Sequence, residues 1–369
     1  MLETSVSFFS VLLALATLAS LIKWNNWWIR IFDFPRLQIA VLQIMTIGVS
    51  VLIYNFQSTW HFIFTFSLSI CLGYQAYKIY PYTFLARKQV KKYSGNDSSM
   101  AISIMISNVL MPNQKSKELI QVIRSTQPQL LLTLESDKWW ENQLKELEGD
   151  YPYSVKMPLD NLYGMHLYSK LELVDYQVNY LVQENIPSIE GHIKLLSGDL
   201  VRIYCIHPKP PAPGESNTST PRDAEILLVG RKLSKQNEPT LVFGDLNDVA
   251  WSNTTRLFQQ ISGLLDPRIG RGFFSTFHAR YPPLRWPLDH VFHSPCFELI
   301  QYKRLPDIGS DHFPIYTKLY LQKNRGYKQE IPQADVEEKQ EANEKIQEGE
   351  PIKEQVKSSA LFQTRIDIP

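Results

Sequence analysis

The sequence predicts an α/β domain over residues 101–322 that is preceded by about three membrane-spanning helices. In the later part of the chain, short apolar runs bounded by Gly, Pro, Asn, Asp or Ser alternate with amphipathic segments. The N-terminal part instead holds three long apolar runs. The composition therefore divides the chain into a membrane domain over 1–82, a basic linker over 83–100, the α/β domain, and a charged tail over 323–369. We expect the tail to be disordered or to form a solvated helix over Asp335–Lys357.

Each N-terminal apolar run is a transmembrane candidate, because about 20 residues span a hydrocarbon core. The runs cover Val6–Ile22, Leu37–Tyr54 and Phe62–Tyr80. Aromatic residues that favour the membrane interface stand at their ends, namely Trp24, Trp27, Trp28, Trp60 and Tyr80. The alternative is a signal peptide followed by buried core helices. It fits poorly, because the first four residues carry no basic side chain and no small-residue cleavage site follows.

The basic residues around these runs predict their orientation. The first loop carries Lys23, Arg30 and Arg36, whereas the second loop, Asn55–His61, has no Lys or Arg. Further basic residues stand at the end of the third run and after it, namely Lys78, Arg87, Lys88, Lys91 and Lys92. The positive-inside rule therefore places the α/β domain in the cytoplasm. The three cysteines, Cys71, Cys205 and Cys296, form no disulfide framework, which agrees with that compartment.

Six short apolar runs predict the strands of the α/β domain. In chain order they are Ile102–Val109, Leu130–Leu134, Val201–Ile206, Thr240–Phe243, His290–Phe292 and Phe313–Leu321. Two segments with apolar residues at helical spacing, Lys117–Ser125 and Asp223–Ser234, predict helices. A domain of this size can bury a large core.

Polar residues stand at or just after the ends of these strands, where a rigid sheet can direct side chains into one crevice. Carboxylate and amide oxygens are the ligands that Mg²⁺ or Mn²⁺ prefers. Glu135 is therefore a candidate metal ligand, together with Asn108 and Asp311. These residue types predict a cation site that can act on a phosphate ester.

The remaining polar residues suit the hydrolysis of such an ester. Asp245 could take a proton from water, and Asn247 could orient that water or the phosphate. His207 and His312 could donate to the developing charge on the phosphoryl oxygens. Asp289 could orient a catalytic histidine. The neighbouring His290 is interpreted as structural.

Arg222 has two interpretations of equal weight. It could bind the substrate phosphate, or it could pair with Asp223 or Glu225.

The residues from Ser103 to Leu321 resemble the endonuclease/exonuclease/phosphatase superfamily, which has the fold of DNase I. Seven segments appear in the family's order: 107–109, 127–135, Gly164 with 168–170, 206–208, 244–247, 288–291 and 309–312. The resemblance implies a four-layer α/β sandwich with two packed sheets. It also implies a divalent metal on Glu135, Asn108 and Asp311.

The resemblance implies a role for each catalytic position as well. Asp245 and Asn247 match the pair that positions the attacking water and the phosphate. His312 matches the catalytic histidine and Asp289 its orienting carboxylate. His207 stands where a second histidine stabilises the phosphoryl oxygen.

The segment from His207 to Pro211 and the residues after Asp245 narrow the resemblance to bacterial membrane-attached members of the YafD type. The hydrophobic N-terminal segment agrees with this branch. The resemblance to this branch implies a multi-pass protein of the bacterial inner membrane.

Three functions are compatible with these features. The first is a metal-dependent phosphoesterase at the membrane face, acting on a lipid headgroup or a soluble ester. The second is a membrane-tethered nuclease, which the net charge of only +1 does not favour, because phosphate neutralisation dominates binding to DNA. The third is a non-catalytic membrane scaffold. No protein partner can be identified from the sequence.

Overall fold

The α/β domain is built on two β-sheets. The computed structural model describes residues 1–323 and 329–350. The first sheet contains β1 (Ala101–Asn108), β2 (Leu130–Leu134), β3 (Tyr153–Met157), β4 (Met165–Ser169), β10 (Phe297–Arg304) and β11 (Ile315–Leu321). The second contains β5 (Glu172–Asn179), β6 (Ser188–Lys194), β7 (Leu200–Cys205), β8 (Thr240–Asp245) and β9 (Asp289–His293). All six predicted strands are present.

The strand order brings the ends of four strands together. The first sheet has the order β10-β11-β1-β2-β4-β3 and the second β5-β6-β7-β8-β9. Two neighbouring pairs, β1 with β2 and β7 with β8, are parallel, and the other pairs are antiparallel. Helix α5 (Ser116–Thr126) connects the first parallel pair, and α7 (Thr220–Leu233) connects the second. Within each parallel pair, the polar residues that follow the two strands therefore lie at the same edge of the sheet.

The predicted sandwich is confirmed by the packing. The largest apolar cluster lies between the sheets and contains residues of both, such as Ile104 and Phe243. Helices α5 and α6 (Lys138–Gln143) cover the outer face of the first sheet. Helices α7 and α8 (Asn253–Ser262) cover the outer face of the second. Leu119 of α5 and Phe258 of α8 are fully buried in these outer layers.

The N-terminal segment forms α1 (Leu2–Ala19), the short α2 (Trp27–Arg30), α3 (Arg36–Ile53) and α4 (Thr59–Ile79). Within the described residues, α1 and α3 are long and apolar enough to cross a membrane by length and composition. The expected third span, α4, does not reach that hydropathy. Polar side chains such as Gln75 and Lys78 lower its mean value.

The three long helices pack on one another and on the α/β domain. Leu13, Ile39 and Leu68 form a small apolar cluster among α1, α3 and α4. Gln43 of α3 donates to Thr17 of α1 at 2.9 Å. The connection to the α/β domain includes Trp251, whose indole nitrogen donates to the Asp33 carbonyl at 2.7 Å, and Tyr82, whose hydroxyl donates to the Ala250 carbonyl at 2.6 Å.

The basic linker and the charged tail are both partly anchored to the domain. Lys91 and Tyr93 of the linker exchange backbone hydrogen bonds with Leu299 of β10 at 2.8 and 2.9 Å. In the tail, residues 336–350 form a helix, α9. This agrees with the predicted alternative of a helix over Asp335–Lys357, but α9 is not simply solvated, because it buries Ala342 and Ile346 in the outer layer of α7 and α8. Residues 351–369 of the tail lie outside the described residues.

Replacing Ile346 by Ala should lower the stability of the α9 packing by about 2–4 kcal/mol, because it removes a fully buried side chain. The measurement is the midpoint of thermal unfolding of the full chain in neutral detergent, with limited proteolysis to monitor release of α9. Val336→Ala, at a side chain that is 81% exposed, is the matched control and should change little. Equal effects of the two substitutions would contradict the described packing.

Candidate active site

Glu135 directly follows β2 and has the left-handed backbone conformation, with φ of 57°. The adjacent Ser136 holds this turn, since its N–H donates to the Gly164 carbonyl at 3.1 Å. The Glu135 carboxylate accepts from the Asn108 amide at 2.8 Å. Burial raises its pKa to about 7, although Asn108 and the His312 charge act in the opposite direction. Glu135 is therefore a half-buried carboxylate whose ionised form is only partly compensated by its neighbours.

Asn108, at the end of β1, connects the two sheets. Its amide nitrogen donates to Glu135 and also to Asp245 Oδ2 at 3.2 Å. Its oxygen accepts from the Leu110 N–H at 3.0 Å. The nitrogen, which cannot bind a cation, faces both carboxylates, whereas the oxygen has one partner and a second lone pair. The role of Asn108 as a metal ligand therefore stays a prediction, and in this structure its amide links the two carboxylates.

Asp245 ends β8 where the chain passes very close to the neighbouring strand. Gly244 before it has φ of 149°, and a Cβ there would lie 2.0 Å from the Ile206 carbonyl oxygen. Asp245 Oδ1 accepts from the N–H of Asn247 at 2.9 Å. The Asn247 side-chain amide in turn donates to the Pro208 carbonyl at 3.0 Å. This turn fixes the Asp245 carboxylate at the floor of the crevice.

His312 lies between two carboxylates. Its Nδ1 donates to Asp289 Oδ2 at 2.9 Å, and its Nε2 lies 3.5 Å from Asp245 Oδ2. Burial alone would lower its pKa, but the charges of Asp289 and Asp245 outweigh burial and raise the pKa to about 10. Burial raises the pKa of Asp245. The series Asp289–His312–Asp245 therefore holds an imidazolium at neutral pH beside a carboxylate that can accept a proton.

His207 follows β7 and completes the crevice. Its Nε2 lies 4.0 Å from Asp245 Oδ2, and its ring packs on Tyr163 with centroids 5.5 Å apart. Burial lowers its pKa to about 4, so the imidazole is neutral at pH 7. Among the described residues, Nδ1 has no hydrogen-bond partner. A neutral imidazole in this position can donate one hydrogen bond to a bound ligand.

Asp311 is half-buried next to His312. Its Oδ1 accepts from the Ser310 hydroxyl at 3.3 Å, and that hydroxyl also donates to the Asn108 carbonyl at 2.8 Å. The negative charge of Asp311 raises the pKa of Glu135, which shows that the two carboxylates are close enough to repel each other. Sequence reasoning assigned no role to Ser310, although it lies within a recognised motif.

Arg222 is buried and does not face the crevice. Its guanidinium donates to Asp223 Oδ1 at 2.9 and 3.1 Å and to the Asn247 carbonyl at 2.9 Å, and it lies 3.3 Å from Asp248. The predicted phosphate contact of Arg222 is therefore corrected in favour of the structural interpretation. Its donors are used inside the protein, where they hold the Asn247 turn.

Three residues near the site were missed in the sequence. Tyr163 packs on His207, and Phe277 packs on His312 with ring centroids 5.0 Å apart. Arg268 donates to His290 Nδ1 at 2.6 Å behind β9. His290 Nε2 also bonds the Asp248 carbonyl at 2.9 Å, so its interpretation as structural agrees with its contacts. The missed aromatic residues come from loops with no periodic pattern.

Two sets of side chains could hold a metal ion. The potential ligand atoms of Asp245, Asp289 and His312 lie within 4.8 Å of one another. They fit a cation poorly, because both ring nitrogens already face carboxylates. Glu135 and Asp311 fit better, since they offer oxygen atoms, which Mg²⁺ and Mn²⁺ prefer, and the half-buried Glu135 gains a counter-charge from the ion.

The fold and this site define a phosphate-ester hydrolase of the sandwich class. Residues 105–312 match the Endonuclease/Exonuclease/phosphatase family, and the chain belongs to it. Members of this family hydrolyse phosphate esters, so the chain is an enzyme of that kind. No curated protein sequence matches the chain.

Solved structures share the fold. Humanised TDP2 from D. rerio is 15% identical, and the alignment covers 60% of this chain and 99% of TDP2, with a TM-score of 0.50. D. rerio TDP2 with a single-strand DNA product is also 15% identical, with 59% and 98% covered and the same TM-score of 0.50. A mannosyl-6-phosphatase from Bacteroides thetaiotaomicron is 19% identical, with 60% and 100% covered and a TM-score of 0.49.

Replacing Arg222 by Met should destabilise the protein by about 3–5 kcal/mol, because it leaves buried carboxylates without their partner. The measurement is the midpoint of thermal unfolding of the full chain in detergent. Arg124→Met removes an exposed arginine that pairs with Glu146 and should change stability by less than about 1 kcal/mol. Wild-type stability of the Arg222 variant, combined with weaker substrate binding, would instead restore the predicted phosphate contact.

Proposed function

We propose that the chain is a membrane-anchored, divalent-metal-dependent phosphoesterase that hydrolyses a phosphodiester or a phosphomonoester. The observation that carries this proposal is the series Asp289–His312–Asp245, in which His312 is hydrogen-bonded to Asp289 and ion-paired with Asp245, beside the half-buried Glu135. A proton acceptor, a fixed positive charge and a carboxylate suited to a cation then border one crevice. General-base and electrostatic catalysis of phosphate-ester hydrolysis can use these three groups.

In this mechanism Asp245 takes a proton from a water molecule. The water oxygen forms a bond to phosphorus, and the bond from phosphorus to the opposite ester oxygen breaks in line. The leaving alkoxide takes a proton from solvent to become the alcohol, and Asp245 returns its proton to solvent, so that water and ester are converted into alcohol and phosphate. Asn247 is proposed to orient the water or the phosphate, and its N–H and side-chain amide also fix the turn around Asp245.

The two histidines stabilise the negative charge that develops on the phosphoryl oxygens. His312 acts as a cation held by Asp289, and His207 acts as a neutral donor. Glu135 and Asp311 would hold Mg²⁺ or Mn²⁺, which supplies further stabilisation of that charge when bound. Asn108 is proposed to position Glu135 and Asp245 relative to each other.

The membrane part of the proposal is that α1, α3 and α4 lie in a bacterial inner membrane with the α/β domain in the cytoplasm. The apolar outer faces of these helices support it. Leu15 of α1, Leu52 of α3 and Phe66 of α4 are each more than half exposed. Such a patch on three adjacent helices is typical of a surface that contacts lipid. The basic residues of the first loop and the linker support the cytoplasmic orientation.

Asp245→Asn and His312→Asn should each lower kcat by about 10²–10⁴-fold, because each removes a proton acceptor or a fixed charge at the reacting phosphate. The measurement is hydrolysis of bis-p-nitrophenyl phosphate by the full chain with Mg²⁺ or Mn²⁺, with EDTA as the metal-free condition. Asp160→Asn, at an exposed position, serves as the control for loss of a carboxylate. Wild-type rates in both site variants would show that the assignment is wrong.

Mn²⁺ affinity should depend on pH through Glu135. Because its pKa is raised to about 7, a proton competes with the metal below that pH. The apparent affinity should then fall up to about tenfold per pH unit below 7 and level off above 7. Calorimetric titration of the full chain with Mn²⁺ at pH 6, 7 and 8 measures this.

Glu135→Gln should weaken the Mn²⁺ affinity and flatten its dependence on pH. Glu118→Gln, on the exposed side of α5, should keep both. An unchanged pH profile in the Glu135 variant would place the metal on other residues.

A further inference from the structure

A groove with a volume of about 980 Å³ lies between α3 and the α/β domain. One wall is the first part of α3, with Leu37, Val41 and Leu42, and Phe84 of the linker continues it. The opposite wall comes from the segment 271–285 and the end of β10. Four basic side chains line this groove, namely Arg271, Arg285, Lys303 and Arg304. Its lining contains no acidic residue among the described part of the chain.

Arg285 and Arg304 share one aromatic ring and lack acidic partners. Their guanidinium carbons lie 4.9 and 4.3 Å from the centroid of Phe313. Arg285 donates to the Ala279 carbonyl at 2.7 Å, and Arg304 donates to the Ser275 carbonyl at 2.9 Å. Within residues 1–323 and 329–350, neither has a carboxylate within 4.0 Å.

The positive charges of Arg285 and Arg304, both at the Phe313 ring, would attract an anion. Burial lowers the pKa of Arg304, and the charge of Arg285 lowers it further. An anion between them would relieve this repulsion and would take the unused N–H donors. Guanidinium groups bind phosphate through paired hydrogen bonds, so a phosphate group fits the chemistry of the site.

The groove continues into the lipid-facing surface of α3. Gln38 in the first turn of α3 donates to the Pro283 carbonyl at 2.8 Å, which fixes Arg285 near the start of that helix. From there the apolar wall continues along exposed Val41, Leu42 and Met45 of α3. The start of a membrane helix lies at the level of the lipid headgroups, and its following turns lie at the level of the acyl chains.

Neighbouring residues of the chain and a series of aromatic contacts link the anion site to the candidate catalytic site. Phe313, the ring shared by the two arginines, follows His312 directly in the chain. On the other side of His312, Phe277 packs on Trp286 with ring centroids 5.9 Å apart, and Trp286 packs on Phe34 just before α3. These aromatic contacts connect the candidate catalytic histidine with the segment that precedes α3.

We infer that this groove binds an anionic phospholipid of the surrounding bilayer. Its phosphate lies on Arg285 and Arg304, and an acyl chain lies along Leu37, Val41, Leu42 and Phe84. The inference rests on the membrane position of α3 in the proposed function. A soluble phosphate ester would use only the arginines and would leave the apolar wall of the groove without a role. A phospholipid uses both walls.

The test uses the full chain with Asp245→Asn, purified in neutral detergent, so that binding is measured without hydrolysis. Native mass spectrometry follows binding of dioleoylphosphatidylglycerol, of dioleoylphosphatidylcholine with the same acyl chains, and of glycerol 1-phosphate. We expect phosphatidylglycerol to bind at least about tenfold more tightly than either of the others, because only it matches both walls. Equal binding of the two lipids, or glycerol 1-phosphate binding as tightly as phosphatidylglycerol, would overturn the inference.

Two variants locate the site. Arg285→Gln with Arg304→Gln should weaken phosphatidylglycerol binding by about tenfold or more. Arg87→Gln with Lys88→Gln removes the same charge from exposed linker positions and should keep the binding. The same loss in both double variants would mean that only the general charge near the membrane matters and would refute the site.

A third variant covers the case in which the arginine variant does not fold. Leu42→Trp fills the groove from the exposed face of α3 and should also weaken phosphatidylglycerol binding. Retention of wild-type binding in this variant would overturn the inference. The proposed function is tested separately by the hydrolysis assay on the wild-type chain, so inactivity there would leave the lipid measurement valid.

Discussion

The contacts of one amide group, that of Asn108, determine how the two halves of the site meet. Asn108 ends a strand of the first sheet, and Asp245 ends a strand of the second. The amide nitrogen reaches both Asp245 and Glu135, which otherwise would be two uncompensated like charges. Burying carboxylates is costly unless donors or opposite charges compensate. The amide and the His312 imidazolium supply that compensation. Because the amide joins strand ends of the two sheets, the way the sheets pack also fixes the geometry of the site.

A second set of buried charges supports the first from behind. Arg222 of α7 neutralises Asp223 and Asp248 and also holds the carbonyl of Asn247. The turn that carries Asp245 and Asn247 is thereby tied to a helix of the outer layer. A site that is held rigidly before the reaction does not have to reorganise when charge develops on phosphorus. The cost is a dense group of charges whose removal one at a time leaves unpaired partners.

The N-terminal helices are part of the same packing. Trp251 and Tyr82 form hydrogen bonds between the helical segment and the loop after β8, which lies close to the Asp245 turn. The aromatic contacts from His312 through Phe277 and Trp286 reach Phe34 at the start of α3. The crevice consequently has a fixed position relative to these helices. If α3 lies in a bilayer, as proposed, the crevice and the basic groove lie close to its surface.

The sequence by itself determined a layered α/β domain, six of the strands and which polar residues follow them, because buried strands with apolar residues on both faces are continuous apolar runs. The two-sheet sandwich was implied by the resemblance of the motifs to a known family. It could not reveal β5, whose side chains are largely exposed or half-buried and follow no apolar pattern. Only the tertiary structure decided that the nitrogen of Asn108 faces the carboxylates and that Arg222 is used internally. It also decided that α9 packs on α7 and α8. These outcomes depend on contacts between residues far apart in the chain and on the burial those contacts create, and neither is encoded in a local pattern.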